Sequence, residues 1–285
     1  MIVITGATGQ LGRLVIAELM KSHPAAELVA AVRSPQNAQD LAALGVQIRQ
    51  ADYDRPETLD SALRGATKLL LISSNDLGQR TRQHGAVIDA ARRAGVTLLA
   101  YTSLLHADTS PLGLGAEHRA TEALLRDSGL PVVLLRNGWY NENHAAGIPA
   151  ALAHHALAGS AGEGRIASAA RADYAAAAAA VLTLDGQAGN VYELAGDSAY
   201  TLPELAAEIT RQSGTAVKYV DLPRDEYQAL LVQAGLPEPV AALLADSDAG
   251  ASQGGLFDDG RQLSRLIGRA TTPIGETVAA VLKAG

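Results

Sequence analysis

The first half of the chain alternates short apolar runs with longer stretches in which apolar residues recur every three or four positions. The apolar runs predict six strands, at residues 2–4, 28–32, 46–50, 68–72, 97–101 and 132–135. The stretches between them predict five helices, at residues 10–20, 36–44, 56–63, 79–94 and 117–127. Because strands and helices alternate, we expect a parallel sheet that carries helices on both faces.

The pattern is less regular after Asn137. Strands are predicted at residues 192–194 and 216–220, with a helix at residues 202–213 between them. The remainder is interrupted by proline and glycine and predicts short helices and loops. We therefore expect two lobes, one of residues 1–136 and a smaller one of residues 137–285, from which some segments return to the sheet.

Three glycines with the spacing G-x-x-G-x-x-G lie directly between the first predicted strand and the first predicted helix. Backbone N–H groups at such a turn can approach a pyrophosphate at the helix N-terminus. A side chain at Gly6 or Gly9 would obstruct the turn or that approach, and Gly12 lets the helix pack close to the sheet. The predicted dinucleotide contacts in this loop are Gly6, Ala7, Thr8, Gly9, Gln10, Leu11 and Gly12. The fold prediction is thus α/β, a Rossmann-type doubly wound parallel sheet with a smaller C-terminal α/β substrate lobe.

The end of the second strand bears on the choice of nucleotide. Folds that bind NAD usually place an acid there to hold the ribose 2′-hydroxyl. Here the strand ends in Arg33 and carries no acid, and a planar cation suits the 2′-phosphate of NADP. The prediction is NADP(H) as cofactor; the alternative is that Arg33 is a solvated residue at a strand end.

Polar residues also follow the later strands, where the carboxyl ends of a doubly wound sheet line the ligand crevice. Asp52 follows the third strand and is interpreted equally well as an adenine contact or as a turn residue. Small hydroxyl and amide side chains at the next two strand ends are further predicted cofactor contacts, namely Ser73, Ser74, Asn75, Thr102 and Ser103.

Several segments carry a resemblance to a known family. The runs ITGATGQLG, AVRSPQNA, QADY, LLLISS and LLAYTSLLHAD resemble the NmrA-like branch of atypical short-chain dehydrogenases. The more specific runs YTSLLHADTSPLGL and LLRNGWYNEN resemble the bacterial type 2 group of NAD(P)H:quinone oxidoreductases, with triphenylmethane reductases the next most similar group. The resemblance implies NADPH across the sheet edge, a quinone between the two lobes, and two-electron reduction of that quinone.

The resemblance also implies positions for further site residues. It places a cofactor-side loop at Asn137, Gly138, Trp139, Tyr140, Asn141 and Glu142, and it places Arg171 near the same cleft. From the residues themselves, Tyr140 and Trp139 can stack on a flat quinone or form a hydrophobic seam. The asparagines, including Asn143, suit a carboxamide or ribose but are also ordinary loop residues.

One departure from the wider superfamily bears on mechanism. Core short-chain dehydrogenases use Tyr-x-x-x-Lys, whereas this chain has Leu114 and His118 at the corresponding positions. Reduction of an ordinary carbonyl needs a proton donor, but a quinone gives a stabilised oxyanion and tolerates weak acid catalysis. The predicted catalytic residues are His118, Tyr140 and Asn143; for His118 the functions considered are a ribose contact, proton donation to the quinone, or none, as a helix-surface residue.

The amino-acid composition excludes several kinds of functional site and binding partner. The chain has no cysteine, which excludes disulfides, thiolate metal sites and a cysteine nucleophile. Its net charge of −7 argues against a nucleic-acid or anionic-membrane partner, and no run of about 20 apolar residues is present. We expect a cytoplasmic protein without a leader or metal site, acting on a small-molecule quinone. The apolar C-terminal segments are compatible with packing inside the chain or in a homodimer.

Two other functions fit the same sequence. Some NmrA-like proteins bind dinucleotide and regulate a partner without turnover, so a non-catalytic NADP sensor is one alternative. A reductase of triphenylmethane-like dyes is the other. The polar and aromatic loop at residues 137–143 favours an enzyme, because a sensor needs no acceptor pocket.

Overall fold

The computed structural model describes residues 1–284. The strands in this range are β1 (Ile2–Thr5), β2 (Leu28–Val32), β3 (Gln47–Gln50), β4 (Lys68–Leu71), β5 (Leu98–Leu104), β6 (Val132–Asn137), β7 (Ala156–Gly159), β8 (Val191–Leu194) and β9 (Lys218–Asp221). The helices are α1 (Gln10–Leu19), α2 (Gln39–Ala43), α3 (Pro56–Ala62), α4 (Arg80–Ala94), α5 (Gly115–Asp127), α6 (Asn141–Ala145), α7 (Ile148–His154), α8 (Arg171–Thr183), α9 (Leu202–Ser213), α10 (Arg224–Gln233), α11 (Glu238–Ser252), α12 (Gln262–Ile267) and α13 (Ile274–Ala284).

Seven strands form one sheet in the order β3-β2-β1-β4-β5-β6-β8. The pairs from β3 across to β6 are parallel, and Ile4 of β1 lies opposite Ala30 of β2 and Leu70 of β4. Strand order therefore reverses direction at β1, so the carboxyl ends of β1 and β4 flank the point where such sheets bind ligands. The predicted Rossmann-type sheet is confirmed.

The chain forms two compact units that interleave along the sequence. Unit 1 consists of Met1–Ala107, Ala116–Asn137 and Ala172–Tyr192. One of its cores packs α3 and α4 against one face of the sheet, with Leu59, Val87 and Ile88 of the helices against Leu69 and Leu99 of the strands. Unit 1 thus includes α8 from Ala172 onward.

Unit 2 consists of Asp108–Gly115, Gly138–Arg171 and Glu193–Gly285. It contains a two-stranded parallel sheet, β7 with β9, and the helical pair α10 and α11. Helix α9 begins with a capping box, in which Thr201 accepts from the backbone of Glu204 and the Glu204 carboxylate accepts from the backbone of Thr201. This reciprocal cap accounts for the start of the helix at the predicted residue.

All six strands and five helices predicted in the first half are present, with bounds shifted by up to three residues and the second helix beginning as a short 3-10 turn. In the second half, the sequence did not predict β7 or the length of α11, which has 15 residues. Helix α11 is rich in alanine and has no strong apolar stripe, so its periodicity is weak. Within residues 1–284, no helix is long and apolar enough to span a membrane.

Candidate functional site

Two glycines of the loop between β1 and α1 hold positions that other residues would not tolerate, Gly6 because of its backbone angle and Gly12 because of lack of space. Gly6 has a φ of +59°, which disfavours residues with a Cβ. A Cβ on Gly12 would lie 2.5 Å from the carbonyl oxygen of Gly6 and 2.7 Å from Cα of Ala7. Gly12 is therefore needed for the close approach of α1 to the glycine loop. The sequence predicted close packing of this helix on the sheet, and the contacts are with the loop that leads from the sheet.

The N-terminus of α1 is open to a ligand. Gly9 is the N-cap residue, no side chain caps the helix, and its first turn has no acidic residue. The first N–H groups, at Gln10 and Leu11, are consequently not satisfied by the helix or by a cap. Together with the helix dipole they form an anion site of the kind that holds a pyrophosphate.

Arg13, which the sequence analysis did not identify, braces the loop from within α1. Its Nε donates to the carbonyl of Thr8 at 3.1 Å, and its Nη2 donates to the carbonyl of Asn37 at 3.1 Å. Its Nη1 pairs with Asp40. This side chain links the glycine loop to the segment after β2, a contact between residues too distant in sequence for a motif to reveal.

Arg33 is exposed at the carboxyl end of β2. It forms no ion pair with any residue in the described part of the chain. Its charge contributes, after the stronger effect of hydrogen-bonded Arg82, to holding the pKa of Asp54 below its usual value. The guanidinium is therefore available to a phosphate. Asp52, by contrast, accepts the backbone N–H of Asp54 through Oδ1 at 3.1 Å, so one of its oxygens serves a turn.

The hydroxyl residues at the ends of β4 and β5 are mostly engaged within unit 1. Thr102 is buried and accepts the backbone N–H of Ser73 at 2.9 Å. The hydroxyl of Ser74 donates to Gln83 at 2.6 Å. Among these side chains, the Ser73 hydroxyl has no partner within residues 1–284, and Asn75 is exposed beside it. The edge therefore offers Ser73 and Asn75 to a ligand more directly than Ser74 or Thr102.

Ser103 belongs to a buried charged group that the sequence analysis missed. Its hydroxyl donates to Oε1 of Glu122 at 2.5 Å. Arg136 holds the same carboxylate with two bonds, from Nε at 3.0 Å and from Nη2 at 2.8 Å. A buried carboxylate needs such bidentate pairing, so Ser103 completes a structural ion pair between α5 and β6.

His118 lies inside unit 1, with 4 % of its surface exposed, and is not the helix-surface residue of the alternative interpretation. Arg80 Nη1 lies 3.3 Å from His118 Nε2, and the Tyr101 hydroxyl lies 2.8 Å from His118 Nδ1. Because a guanidinium can only donate, Nε2 accepts and Nδ1 carries the proton that goes to Tyr101. Burial, with Arg80 and His84 nearby, lowers the pKa of His118 to about 3. Both ring nitrogens are engaged, which argues against His118 as a proton donor to a substrate.

His84 forms the next part of this network. Its Nε2 accepts the backbone N–H of Ser74 at 2.9 Å, and its Nδ1 lies 2.9 Å from the Thr121 hydroxyl. Burial, and then the charge of Arg80, lowers its pKa to about 4. The neutral ring thereby connects the loop after β4 to α4 and α5.

In unit 2, three predicted site residues come together around the start of α8. Both carboxylate oxygens of Glu142 accept the backbone N–H of Arg171 at 3.0 Å, so Glu142 caps this helix. The Arg171 guanidinium lies 4.7 Å from the centre of the Tyr140 ring, a cation–π contact. Asn143 is half-buried, and its side-chain amide has no partner among the described residues. Tyr140 and Asn143 therefore remain the predicted residues with chemistry to offer a substrate.

Asn141 is fully buried and forms part of a hydrogen-bond chain of fixed direction. Its Nδ2 donates to the backbone carbonyl of Thr272 at 3.0 Å, so its Oδ1 must accept from Ser168, at 2.6 Å. The Ser168 oxygen then accepts from the Tyr200 hydroxyl at 2.9 Å, and Tyr200 accepts from Nδ1 of His144 at 2.7 Å. The Asn141 amide is thus committed to the interior of unit 2, which argues against the predicted cofactor contact.

The far end of this chain is the Nε2 atom of His144. Since Nδ1 carries the proton, Nε2 is an acceptor, and it is buried with no partner among residues 1–284. Burial lowers the pKa of His144 to about 4, so the ring is neutral. Trp139 is 7 % exposed and lies with its ring centre 6.3 Å from that of His144, as the packing interpretation of Trp139 expects. Asn137 and Gly138 are also buried.

No group of three or more histidine and acidic side chains able to hold a metal occurs in the part of the chain that the structure describes.

Comparisons with known proteins identify relatives that match nearly the whole chain. A family model described as NAD(P)H-binding matches residues 6–185. Quinone oxidoreductase 2 of Escherichia coli (strain K12) is 60 % identical over 98 % of this chain and 98 % of its own. An E. coli NADPH-dependent quinone oxidoreductase in complex with NADPH has a TM-score of 0.97 at 59 % identity, covering 99 % of each chain. The triphenylmethane reductase of Citrobacter sp. in complex with NADP(H) has a TM-score of 0.95 at 38 % identity, covering 99 % of this chain and 100 % of its own. The resemblance found in the sequence is confirmed, and the chain belongs to the NAD(P)H-binding family and, within it, to the quinone oxidoreductase 2 group.

Proposed function

We propose that the protein catalyses NADPH-dependent two-electron reduction of quinones by direct hydride transfer from the nicotinamide. The observation that carries this proposal is the open anion site at α1, formed in a chain 60 % identical to a quinone oxidoreductase. One quinone, one hydride and one proton give one hydroquinone, with NADP+ as the other product.

The residues of unit 1 fit the cofactor. The positive φ of Gly6 forms the tight turn, and Gly12 lets α1 begin directly against that turn, so that the open N-terminus of α1 is available to a pyrophosphate. Arg33 forms no ion pair within residues 1–284 and suits the 2′-phosphate. When bound, NADPH supplies the hydride. We include Ser73 and Asn75 among the cofactor contacts. Arg171 and the loop at residues 137–143 form a second set of cofactor contacts, in which Asn141 and Glu142 hold the loop in shape through their internal hydrogen bonds.

The proton does not come from His118 in this proposal. Its two nitrogens are held by Arg80 and Tyr101, and a group with a pKa near 3 carries no proton to donate from Nε2 at neutral pH. We assign His118 a positioning role, through the side chains of β5 and α4. Tyr140 and Asn143 are the proposed substrate contacts, and solvent protonates the hydroquinone oxyanion.

The deciding experiment is a steady-state assay of NADPH oxidation with simple quinones, run in parallel with triphenylmethane dye cations. Turnover with quinones and a one-to-one ratio of NADPH consumed to hydroquinone formed supports the proposal. Turnover with dyes alone supports the second candidate, a dye reductase, which the 38 % identity to triphenylmethane reductase favours. Tight NADP+ binding without turnover of either substrate would instead indicate the non-catalytic sensor.

A further inference from the structure

A surface pocket of about 500 Å³ in unit 2 is lined by three arginines and a single carboxylate. The arginines are Arg261, Arg265 and Arg269, spaced four residues apart before, within and after α12. All three are exposed. The whole chain has a net charge of −7, so this local excess of positive charge runs against the charge of the protein.

The carboxylate in the pocket does not neutralise these arginines. Asp197 accepts from the Ser264 hydroxyl through Oδ1 at 2.6 Å and from the backbone N–H of Thr271 through Oδ2 at 3.0 Å. Both of its oxygens are thus held by uncharged donors. Within residues 1–284, Arg261 and Arg265 form no ion pair with any carboxylate. Asp197 therefore fixes the wall of the pocket, while two guanidinium groups remain without a counter-charge.

The backbone at Arg261 is also unusual. Arg261 has a φ of +51°, in the left-handed region that few residues other than glycine adopt. The residue before it is Gly260, which would adopt that conformation at lower cost. The backbone of Arg261 is thus strained at the residue that precedes α12. Backbone strain of this kind is often found at functional sites.

We propose that this arginine pocket binds a small anion carrying two or three negative charges, of the phosphate or polycarboxylate type. Guanidinium groups match both kinds of oxyanion with paired hydrogen bonds. A pocket of this volume, about 500 Å³, is in the range of small-ligand sites. The bound anion supplies the counter-charge that the described residues do not. The site shares no residue with the glycine loop, and the inference does not depend on the proposed function.

The test is isothermal titration of the full chain, saturated with NADP+ so that the glycine loop is already occupied. Pyrophosphate and citrate are titrated separately at constant ionic strength. We expect saturable binding of at least one of them, with a dissociation constant of about 1 mM or tighter, and the anion that binds identifies the ligand type. The double variant Arg261→Ser, Arg265→Ser should weaken binding by at least about tenfold, because each lost charge-assisted bond contributes on the order of a factor of ten.

The matched control is the double variant Arg211→Ser, Arg224→Ser, which removes two exposed arginines of unit 2 outside the pocket. It should bind the anion within about twofold of the parent, because exposed charges at a distance are largely screened. Absence of saturable binding to the parent would overturn the proposal, as would equal weakening in the two double variants. Circular dichroism of both variants establishes that a loss of binding is not a loss of fold.

Discussion

Nη1 of Arg80 lies 3.3 Å from Nε2 of His118, and this one contact fixes where the histidine carries its proton. Since Nε2 accepts, the proton stays on Nδ1 and points to Tyr101. A residue in that arrangement supports β5 and α4 and does not release a proton to a substrate.

The first prediction follows for His118→Asn. Removal of a general acid would lower kcat by about 10²- to 10⁴-fold. Because His118 does not act as the acid, we expect kcat of the His118→Asn variant to fall by less than about tenfold. The free energy of unfolding should fall by about 1–3 kcal/mol, because Tyr101 and Arg80 lose a buried partner. The pH profile of kcat, measured beside chemical denaturation, should keep the shape of the parent. A loss of a thousandfold in kcat with parental stability and a missing acidic limb would show that His118 is the acid.

The second prediction concerns Gly12→Ala. A Cβ there would lie 2.5 Å from the Gly6 carbonyl oxygen, so the loop must move and NADPH affinity should fall by at least about tenfold, or about 1.4 kcal/mol. Fluorescence titration with NADPH measures this. The control is Gly85→Ala within α4, where the nearest atom to a Cβ, on Leu124, is 3.7 Å away. That variant should bind NADPH as the parent does and gain slightly in helix stability.

The third prediction is a change of nucleotide preference in Arg33→Asp. The carboxylate would repel the 2′-phosphate and could accept from a ribose 2′-hydroxyl. We expect the dissociation constant for NADPH to rise about 10- to 100-fold and that for NADH to stay level or fall. Arg64→Asp makes the same charge change at an exposed residue of unit 1 and should alter neither constant appreciably. Equal affinities in the Arg33 variant and the parent would refute the assignment of Arg33.

The fourth prediction is a loss of stability in acid. The folded-state pKa is about 3 for His118 and about 4 for His84 and His144, below the ordinary value of 6.5. Between these values the unfolded chain takes up protons that the folded chain does not. The free energy of unfolding should therefore fall between about pH 6.5 and 4, by up to about 1.4 kcal/mol per pH unit for each histidine. Burial raises the pKa of Asp248 to about 6, which offsets one such contribution between about pH 6 and 4.

Urea denaturation at half-unit pH intervals checks this slope. His144→Gln should make it shallower, because one of the three neutral rings is gone. His154→Gln removes an exposed histidine and should leave the slope as it is. A stability that stays level from pH 7 to pH 4.5 would contradict the burial of these histidines in their neutral form.

The fifth prediction concerns Ser168→Ala, which removes the middle of the hydrogen-bond chain in unit 2. The Tyr200 hydroxyl would lose its acceptor and Asn141 Oδ1 its donor, both in the interior. We expect a loss of about 2–4 kcal/mol in the free energy of unfolding, from two unsatisfied buried groups. Ser252→Ala removes an exposed hydroxyl that bonds only its own helix and should change stability by less than about 0.5 kcal/mol.

The parts of the structure that the sequence predicted are those with local causes. Strand β2 (Leu28–Val32) is found at the predicted residues because all five are buried, so the apolar run and the strand coincide. The glycine loop was found because its φ and spacing requirements exclude other residues. Strand β7 (Ala156–Gly159) was missed since small residues carry little alternation.

The site residues whose roles were not foreseen depend on contacts between distant positions. Arg80 and His118 are 38 residues apart in sequence, and the clamp from Arg13 reaches Asn37 and Asp40. Ser103 and Asn141 were predicted to face a cleft. Instead, Ser103 bonds Glu122 inside unit 1, and Asn141 bonds Thr272 inside unit 2. A polar residue at a strand end is visible in the sequence, but the competition between a ligand and an internal partner is decided only by packing.

The carbonyl oxygen of Thr272 sets the direction of hydrogen bonding 131 residues away from itself in sequence, at Asn141. A main-chain oxygen cannot donate, so the hydrogen bond from Asn141 to Thr272 has a fixed direction. Each hydroxyl group further along the hydrogen-bond chain can rotate and donate either way. A protein shortened before Thr272 would free the Asn141 amide to rotate by half a turn, and the hydroxyls of Ser168 and Tyr200 would reverse with it. The proton of His144 would then move from Nδ1 to Nε2, and a buried acceptor would become a buried donor. The C-terminal segment thereby governs the polarity of an atom to which it forms no hydrogen bond within residues 1–284.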